Sequence, residues 1–177
     1  MYTTKPAEAN ASKRAIFLDR DGVINHMVHQ GDSYDSPQNK DQVTLVDGIA
    51  EVIAWANSHA FPVIEISNQP GAAKGKMSID RLNEIDEHIF SLLRDRGAHI
   101  DKRYLCVHHP NGTIAELAIE CECRKPGIGM FKQAESELGI EIAKSVFVGD
   151  NVSDMRAGEN AGCETIFFSH TDDIPEK

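Results

Sequence analysis

Short apolar runs alternate along the chain with longer amphipathic stretches, and each switch between them falls at a turn signal. Ala15 to Leu18 is a continuous apolar run of buried-strand type that stops at Asp19-Arg20-Asp21-Gly22. Residues 48 to 59 carry apolar side chains at Ile49, Val52, Ile53 and Ala56, the three-and-four spacing of a helix. Phe61 to Ile66 reads as a second strand ending at Ser67-Asn68-Gln69-Pro70-Gly71. A second helix opens at the N-cap Ser78, carries Ile79, Leu82, Ile85 and Ile89 on one stripe, and ends at Gly97. Tyr104 to Val107 is a third strand, and residues 108 to 124 read as irregular. A helix over 127–138 closes at Gly139, followed by a strand over Ser145 to Val148, a helix near Ser153 to Ala161 and a last strand over Glu164 to Phe168.

This order predicts an α/β fold in three layers, a mostly parallel sheet with helices on both faces joined by right-handed crossovers. The polar stretch from His29 to Gln42 is expected to be a loop or small flap, and too few residues lie outside the sheet for a large cap domain. At 177 residues the chain suits one domain over 14–177 behind a short flexible tail, 1–13. Its 41% hydrophobic and 26% charged composition is that of a soluble globular protein. A formal charge of -10 argues against a nucleic-acid or anionic-membrane binder, no apolar run is long enough for a membrane span, and the N-terminus lacks a signal-peptide core. A cytoplasmic monomer acting on a small molecule is the expectation.

In parallel sheets ligands collect beyond the carboxyl ends of the strands. There this sequence puts Asp19 and Asp21, Ser67 and Asn68, and Asp150. Clustered carboxylates repel unless a cation holds them, and a hard divalent ion such as magnesium prefers oxygen ligands. One such carboxylate can attack a phosphate, and a second can move the proton. A separate group, Cys106-x-His108 and Cys121-x-Cys123, offers three thiols and an imidazole, a complete tetrahedral set for structural zinc, with His109 as the alternative nitrogen. The remaining cysteine, Cys163, reads as a buried small hydrophobe.

Phe17-Leu18-Asp19-Arg20-Asp21-Gly22-Val23, Ser67-Asn68-Gln69, Lys125 in Arg124-Lys125-Pro126, and Gly149-Asp150-Asn151-Val152-Ser153-Asp154 resemble, in order, the four motifs of the haloacid dehalogenase superfamily of phosphohydrolases. That resemblance implies a Rossmann-like domain in which Asp19 attacks phosphorus and becomes an aspartyl-phosphate while Asp21 serves as general acid and then general base. It implies that Ser67 and Lys125 hold the phosphoryl oxygens, that Asp19, the backbone carbonyl of Asp21 and Asp150 hold magnesium, and that Asp154 orients metal-bound water. The cysteine-histidine group beside Arg124 and Lys125 is similar to the zinc-loop branch, which contains heptose 1,7-bisphosphate 7-phosphatases and histidinol-phosphate phosphatases. The same resemblance implies substrate contacts from Arg124, from the backbone around Asn68, Gln69 and Pro70, and at Asn151, with Arg124 suited to a second phosphate. Three departures from the branch stand out: Asn151 where lysine is usual, Pro70 after Gln69, and a longer loop between Asn25 and Val43. The competing reading is a zinc-stabilised binding protein that has lost catalysis.

Overall fold

The computed structural model describes residues 13–31 and 33–169; most of the expected tail and the last eight residues lie outside them. Five parallel strands form the sheet: β1 (Ile16–Leu18), β4 (Val63–Asn68), β5 (Lys102–Cys106), β6 (Val146–Gly149) and β7 (Glu164–Phe167), in the order β5-β4-β1-β6-β7. Two short strands, β2 (Val28–Gln30) and β3 (Ser33–Asp35), make an antiparallel hairpin outside it. Helices α1 (Ile49–Ser58) and α2 (Ile79–Arg94) lie on one face, and α3 (Gly129–Leu138) and α4 (Val152–Ala161) on the other. Successive strand residues point to opposite faces, so Phe17 and Ile64 enter the core under α3 and α4, whereas Leu18 and Val63 enter the core under α1 and α2. That is the expected three-layer arrangement, with only the hairpin above the sheet where a cap could stand.

The differences from expectation have local causes. β4 starts at Val63 rather than Phe61, because Pro62 has no N–H for the ladder, and it runs on through polar Ser67 and Asn68, which pair with Leu105 and Cys106. β5 likewise begins earlier, at Lys102. The stretch expected as a loop or flap is a hairpin followed by a 3-10 turn at Lys40–Gln42; its strands are too short and too exposed to show an apolar alternation. Among the described residues, no helix is long and apolar enough to cross a membrane.

One strand position breaks the apolar pattern. Glu65, in register with Leu18 and Arg103, is fully buried, and neither carboxyl oxygen has a hydrogen-bond partner. Nearby, Arg20 is wholly buried between Asp21 (3.0 Å) and Asp86 (2.7 Å), and Arg103 pairs with Asp86 at 2.6 Å. Two arginines are thus balanced by two aspartates, and a third ionised carboxylate would leave an uncompensated buried charge. Burial, reinforced by the Asp86 charge, pushes the Glu65 carboxyl up to about 8 from an ordinary 4.5. The folded chain therefore holds this proton more tightly than the unfolded one, and the associated stability is complete below about pH 4.5 and lost as pH rises through about 8. Glu65→Gln keeps the neutral shape, so it is expected to match the wild type at pH 5 and to exceed it by a few kcal/mol at pH 9. Denaturant melts of both proteins across that range check this; parallel stability curves would show that Glu65 does not titrate with folding.

Candidate functional site

The floor of the site is built where β1, β4 and β6 end side by side. Beyond Leu18 the chain is tethered by the Asp19 N–H to the Val148 carbonyl, then coils so that the Arg20 carbonyl accepts from the N–H groups of Val23, Ile24 and Asn25. Gly22 sits at φ +88°, and a Cβ there would come within 1.9 Å of Asp150 Oδ2. Glycine thus lets the first acidic loop and the fourth-motif aspartate close on each other.

Asp19, Asp150 and Asp154 offer carboxylate oxygens that all lie within 4.8 Å of one another. Lys125 is the cation among them, with Nζ 2.8 Å from Asp19 Oδ1, 2.8 Å from Asp154 Oδ1 and 3.1 Å from the Ile66 carbonyl. Burial works against its charge, but the carboxylates of Asp19 and Asp154 outweigh that and hold Lys125 protonated. Asp19 Oδ1 also accepts the Arg20 N–H at 2.8 Å, and no donor among the described residues is recorded for Oδ2. Asp150 is pushed up to about 7, first by burial and then by the charges of Asp19 and Asp154. Three carboxylates around one ammonium make a site short of positive charge, and oxygen donors at this spacing suit a hard divalent cation.

Asp21 is occupied differently. Its carboxylate accepts from Arg20 on both oxygens (3.0–3.2 Å), from Asn25 at 3.0 Å on Oδ1, and from Ser36 (2.8 Å) and Gln69 (2.6 Å) on Oδ2. Burial alone would raise its proton affinity, but the Arg20 charge and these donors prevail and hold it below the usual carboxylate value.

These groups share a cavity of about 220 Å³ with Ser67, Asn68, Pro70, Arg124 and Asn151, roofed by Met27 and Ser36 of the hairpin region. The Gln69 side chain is buried and donates to Asp21 and to Ser67 Oγ (2.9 Å). Asn68 reaches the wall, but its amide is spent on Lys125, accepting from the backbone N–H (3.0 Å) and donating to the carbonyl (3.1 Å). Asn151 caps α4, its Oδ1 accepting from the Ser153 N–H, while its own N–H donates to Asp154 Oδ2. Asp154 is buried between that N–H and Lys125. Arg124 lines the cavity with Nη1 3.4 Å from the His108 carbonyl. Sequence reasoning missed Arg20, Asn25 and Ser36; the first two were visible within the first motif, whereas nothing in the pattern marked Ser36. A larger apolar groove of about 430 Å³ lies elsewhere, between α1 and β6–β7, and Asp47 is the one ionisable residue on its wall.

The second cluster assembles as expected. Sγ of Cys106, Cys121 and Cys123 lie 3.2–3.5 Å apart, and His108 Nδ1 is 3.4 Å from Cys123 and 3.9 Å from Cys106. A tetrahedral ion with Zn–S bonds of about 2.3 Å requires sulfurs about 3.8 Å apart, close to this spacing. Burial opposes ionisation of Cys121, yet hydrogen bonds from Cys123, the Arg124 backbone, Cys106 and His108 draw it down to about 7, towards the thiolate that a metal needs. His109 is not in the group; its Nδ1 accepts the Asn111 N–H. Cys163 is buried, with Sγ against the Ser145 carbonyl.

Comparison with known proteins gives the arrangement its relatives. The HAD-hydrolase-like family matches residues 122–170. A D-glycero-β-D-manno-heptose-1,7-bisphosphate 7-phosphatase of Yersinia pestis is 37% identical over 154 residues, 85% of this chain and 77% of that one. The enzyme of the same name from Vibrio cholerae is 38% identical over 160 residues, 90% and 83% of the two chains. The crystal structure of D,D-heptose 1,7-bisphosphate phosphatase from B. bronchiseptica, complexed with magnesium and phosphate, superposes with a TM-score of 0.73 at 29% identity over 86% of this chain and 78% of that one. With the acidic loop of β1, the lysine after the cysteine pair and the aspartates after β6 meeting in one crevice, and with relatives this similar along most of its length, the chain belongs to the HAD-like hydrolases, among their phosphatases.

Proposed function

We propose that this protein removes the 7-phosphate of D-glycero-D-manno-heptose 1,7-bisphosphate through an aspartyl-phosphate, acting as a cytoplasmic monomer. The observation that carries the chemistry is the single cavity in which Asp19 keeps one oxygen free beside a buried lysine and two further carboxylates. The heptose substrate is supported by the activity in the relatives' names.

In this reading Asp19 Oδ2 attacks phosphorus in line with the sugar oxygen, the P–O bond to the sugar breaks, and Asp21 gives its proton to the leaving oxygen. Water then attacks the aspartyl-phosphate, Asp21 takes its proton, and inorganic phosphate leaves. Lys125 has all three protons committed, so a phosphoryl oxygen must replace the Ile66 carbonyl or Asp19 as its partner. Ser67 Oγ accepts from Gln69, which leaves its own proton for the phosphoryl group. Asp21 as held is a carboxylate, competent as a base; the negative charge of an arriving phosphate raises its proton affinity and allows the acid step. Asp19, Asp150 and the backbone carbonyl of Asp21 would hold magnesium, which offsets negative charge on the transferring group. The magnesium in the B. bronchiseptica complex supports this assignment. Cys106, His108, Cys121 and Cys123 would hold zinc, which fixes the loop that presents Arg124 and Lys125.

Side-by-side kinetics with magnesium test the proposal. The heptose bisphosphate is expected to exceed both its 7-monophosphate and histidinol phosphate in kcat/KM by about 10²-fold or more, the contribution of one desolvated arginine–phosphate contact. Preference for histidinol phosphate would reassign the substrate, and release of phosphate from none of a broad ester panel would favour the binding-protein reading.

A further inference from the structure

Asp21 has five donor contacts from the residues around it that are built into the floor of the site, and one that is not. Arg20 and Asn25 belong to its own loop and Gln69 follows β4, so their positions are fixed by the sheet. The remaining donor, Ser36 Oγ at 2.8 Å from Asp21 Oδ2, comes from the segment immediately after β3, outside the five-stranded sheet.

Ser36 is itself held firmly. Its N–H donates to Asp35 Oδ1 at 2.9 Å, and its carbonyl accepts from Gln38 Nε2 at 2.8 Å. Asp35 pairs with Lys76, and Gln38 is tied in turn through its N–H to Gln42 Oε1. The hairpin is therefore fastened to the loop after β4 at one point and to the acid–base group at another. Ser36 also lines two adjoining cavities, the catalytic one and a smaller one of about 30 Å³ bounded by Lys74 and Gln69.

Arg20 grips both oxygens of Asp21 and is itself anchored by the buried pair with Asp86. Of the donors to Oδ2, Ser36 is the one that also lines the catalytic cavity and comes from outside the five-stranded sheet. We propose that Ser36 is a positioning residue for the acid–base step, its hydroxyl setting the direction in which the Asp21 carboxyl points and so making proton transfer depend on how the hairpin is seated. The inference rests on the acid–base role given to Asp21 above.

The test separates a role in proton transfer from a merely structural one by the leaving group. A sugar alkoxide must be protonated as it departs, whereas p-nitrophenolate leaves without help, and both need attack by Asp19. Alcohol release is measured in single turnover, enzyme in excess, for heptose 1,7-bisphosphate and for p-nitrophenyl phosphate, with Ser36→Ala, Ser36→Thr and Asp21→Asn. Ser36→Ala is expected to slow release from the sugar phosphate about tenfold or more while changing aryl release by less than about twofold, and Ser36→Thr to restore the sugar rate. Equal slowing on both substrates, or on neither, overturns the proposal. Asp21→Asn identifies which idea has failed. If it shows the leaving-group split and Ser36→Ala does not, the assignment to Ser36 alone is wrong; if Asp21→Asn shows no split, the acid role of Asp21 falls and this inference with it.

Discussion

Asp19→Asn is expected to abolish phosphate release, by on the order of 10⁴-fold or more, while leaving the fold intact. The size follows from what the amide removes. Asp19 Oδ1 is already committed to Lys125 and the Arg20 N–H, so the nucleophile must be the other oxygen, and in asparagine that position is an NH₂ group or a neutral carbonyl oxygen. Neither can form a stable phosphoryl adduct. The fold survives because the amide oxygen can still accept from Arg20 and because Lys125 keeps Asp154 and the Ile66 carbonyl. Acid quenching of the wild type during turnover should trap one labile phosphoryl group on the chain, and the variant none. More than about 1% residual activity, or a phosphoryl group on another residue in the variant, would mean that Asp19 is not the nucleophile.

Much of this site was legible before any coordinates. An apolar run that ends in Asp19-Arg20-Asp21 and another that ends in Asp150 read as interior strands of a parallel sheet, and the structure makes them neighbours. Once they are adjacent, their terminal carboxylates must meet. The paired one-residue gaps of the cysteine-histidine group were equally readable, since ligand type and spacing are local properties of the chain. What could not be read was the direction of polar side chains. The side-chain amides of Asn68, Gln69 and Asn151 each hold a neighbour: Lys125, Asp21 with Ser67, and the first turn of α4. Sequence position fixes which crevice a residue borders, while the hydrogen-bond partner it chooses depends on three-dimensional competition among donors. The hairpin and Ser36 were hidden for another reason. A two-stranded ribbon with little apolar surface carries no periodic signal, and its stability comes from contacts such as Asp35 with Lys76 that lie far apart in the chain.

The departure at Asn151 gains a physical meaning from the same competition. A lysine at this point would bring a positive charge to the cavity, but its side chain could not accept the capping hydrogen bond. Asn151 instead completes a reciprocal capping box with Asp154, and Asp154 in turn anchors Lys125. The charge lost from the wall is thus exchanged for a firmer hold on the lysine at the floor. Arg124 and Lys125 are the cations on the cavity wall among the described residues, so under the proposed function a second phosphate would fall to Arg124.

Loss of the zinc ligands is expected to be the largest single blow to stability. Between β5 and α3 the chain runs for more than twenty residues with one 3-10 turn, Ala115–Leu117, and only Lys125 fully buried, so the loop has little core of its own. Up to Cys123 its fixed points are the four clustered side chains and two N–H groups, from Thr113 and Ile114, that share the Ala73 carbonyl, while the end of the loop is held by Asn68 on the Lys125 backbone and by the Lys125 ion pairs. Without an ion, three thiols packed 3.2–3.5 Å apart give weak hydrogen bonds in exchange for ordering the loop. With one, the binding free energy, on the order of 10 kcal/mol in small zinc modules, becomes folding free energy for this segment. The freshly purified reduced protein is expected to carry about one zinc per chain. Cys121→Ser should lower Tm by about 10 °C or more and open residues 107–123 to proteolysis, and because Lys125 follows Cys123 by two positions, activity should fall with it. Removing magnesium alone should stop turnover and leave the melt nearly unchanged. Identical melts and identical proteolytic patterns for wild type and Cys121→Ser would show that the cluster does not hold the loop, and the three sulfurs would then need another explanation for their approach.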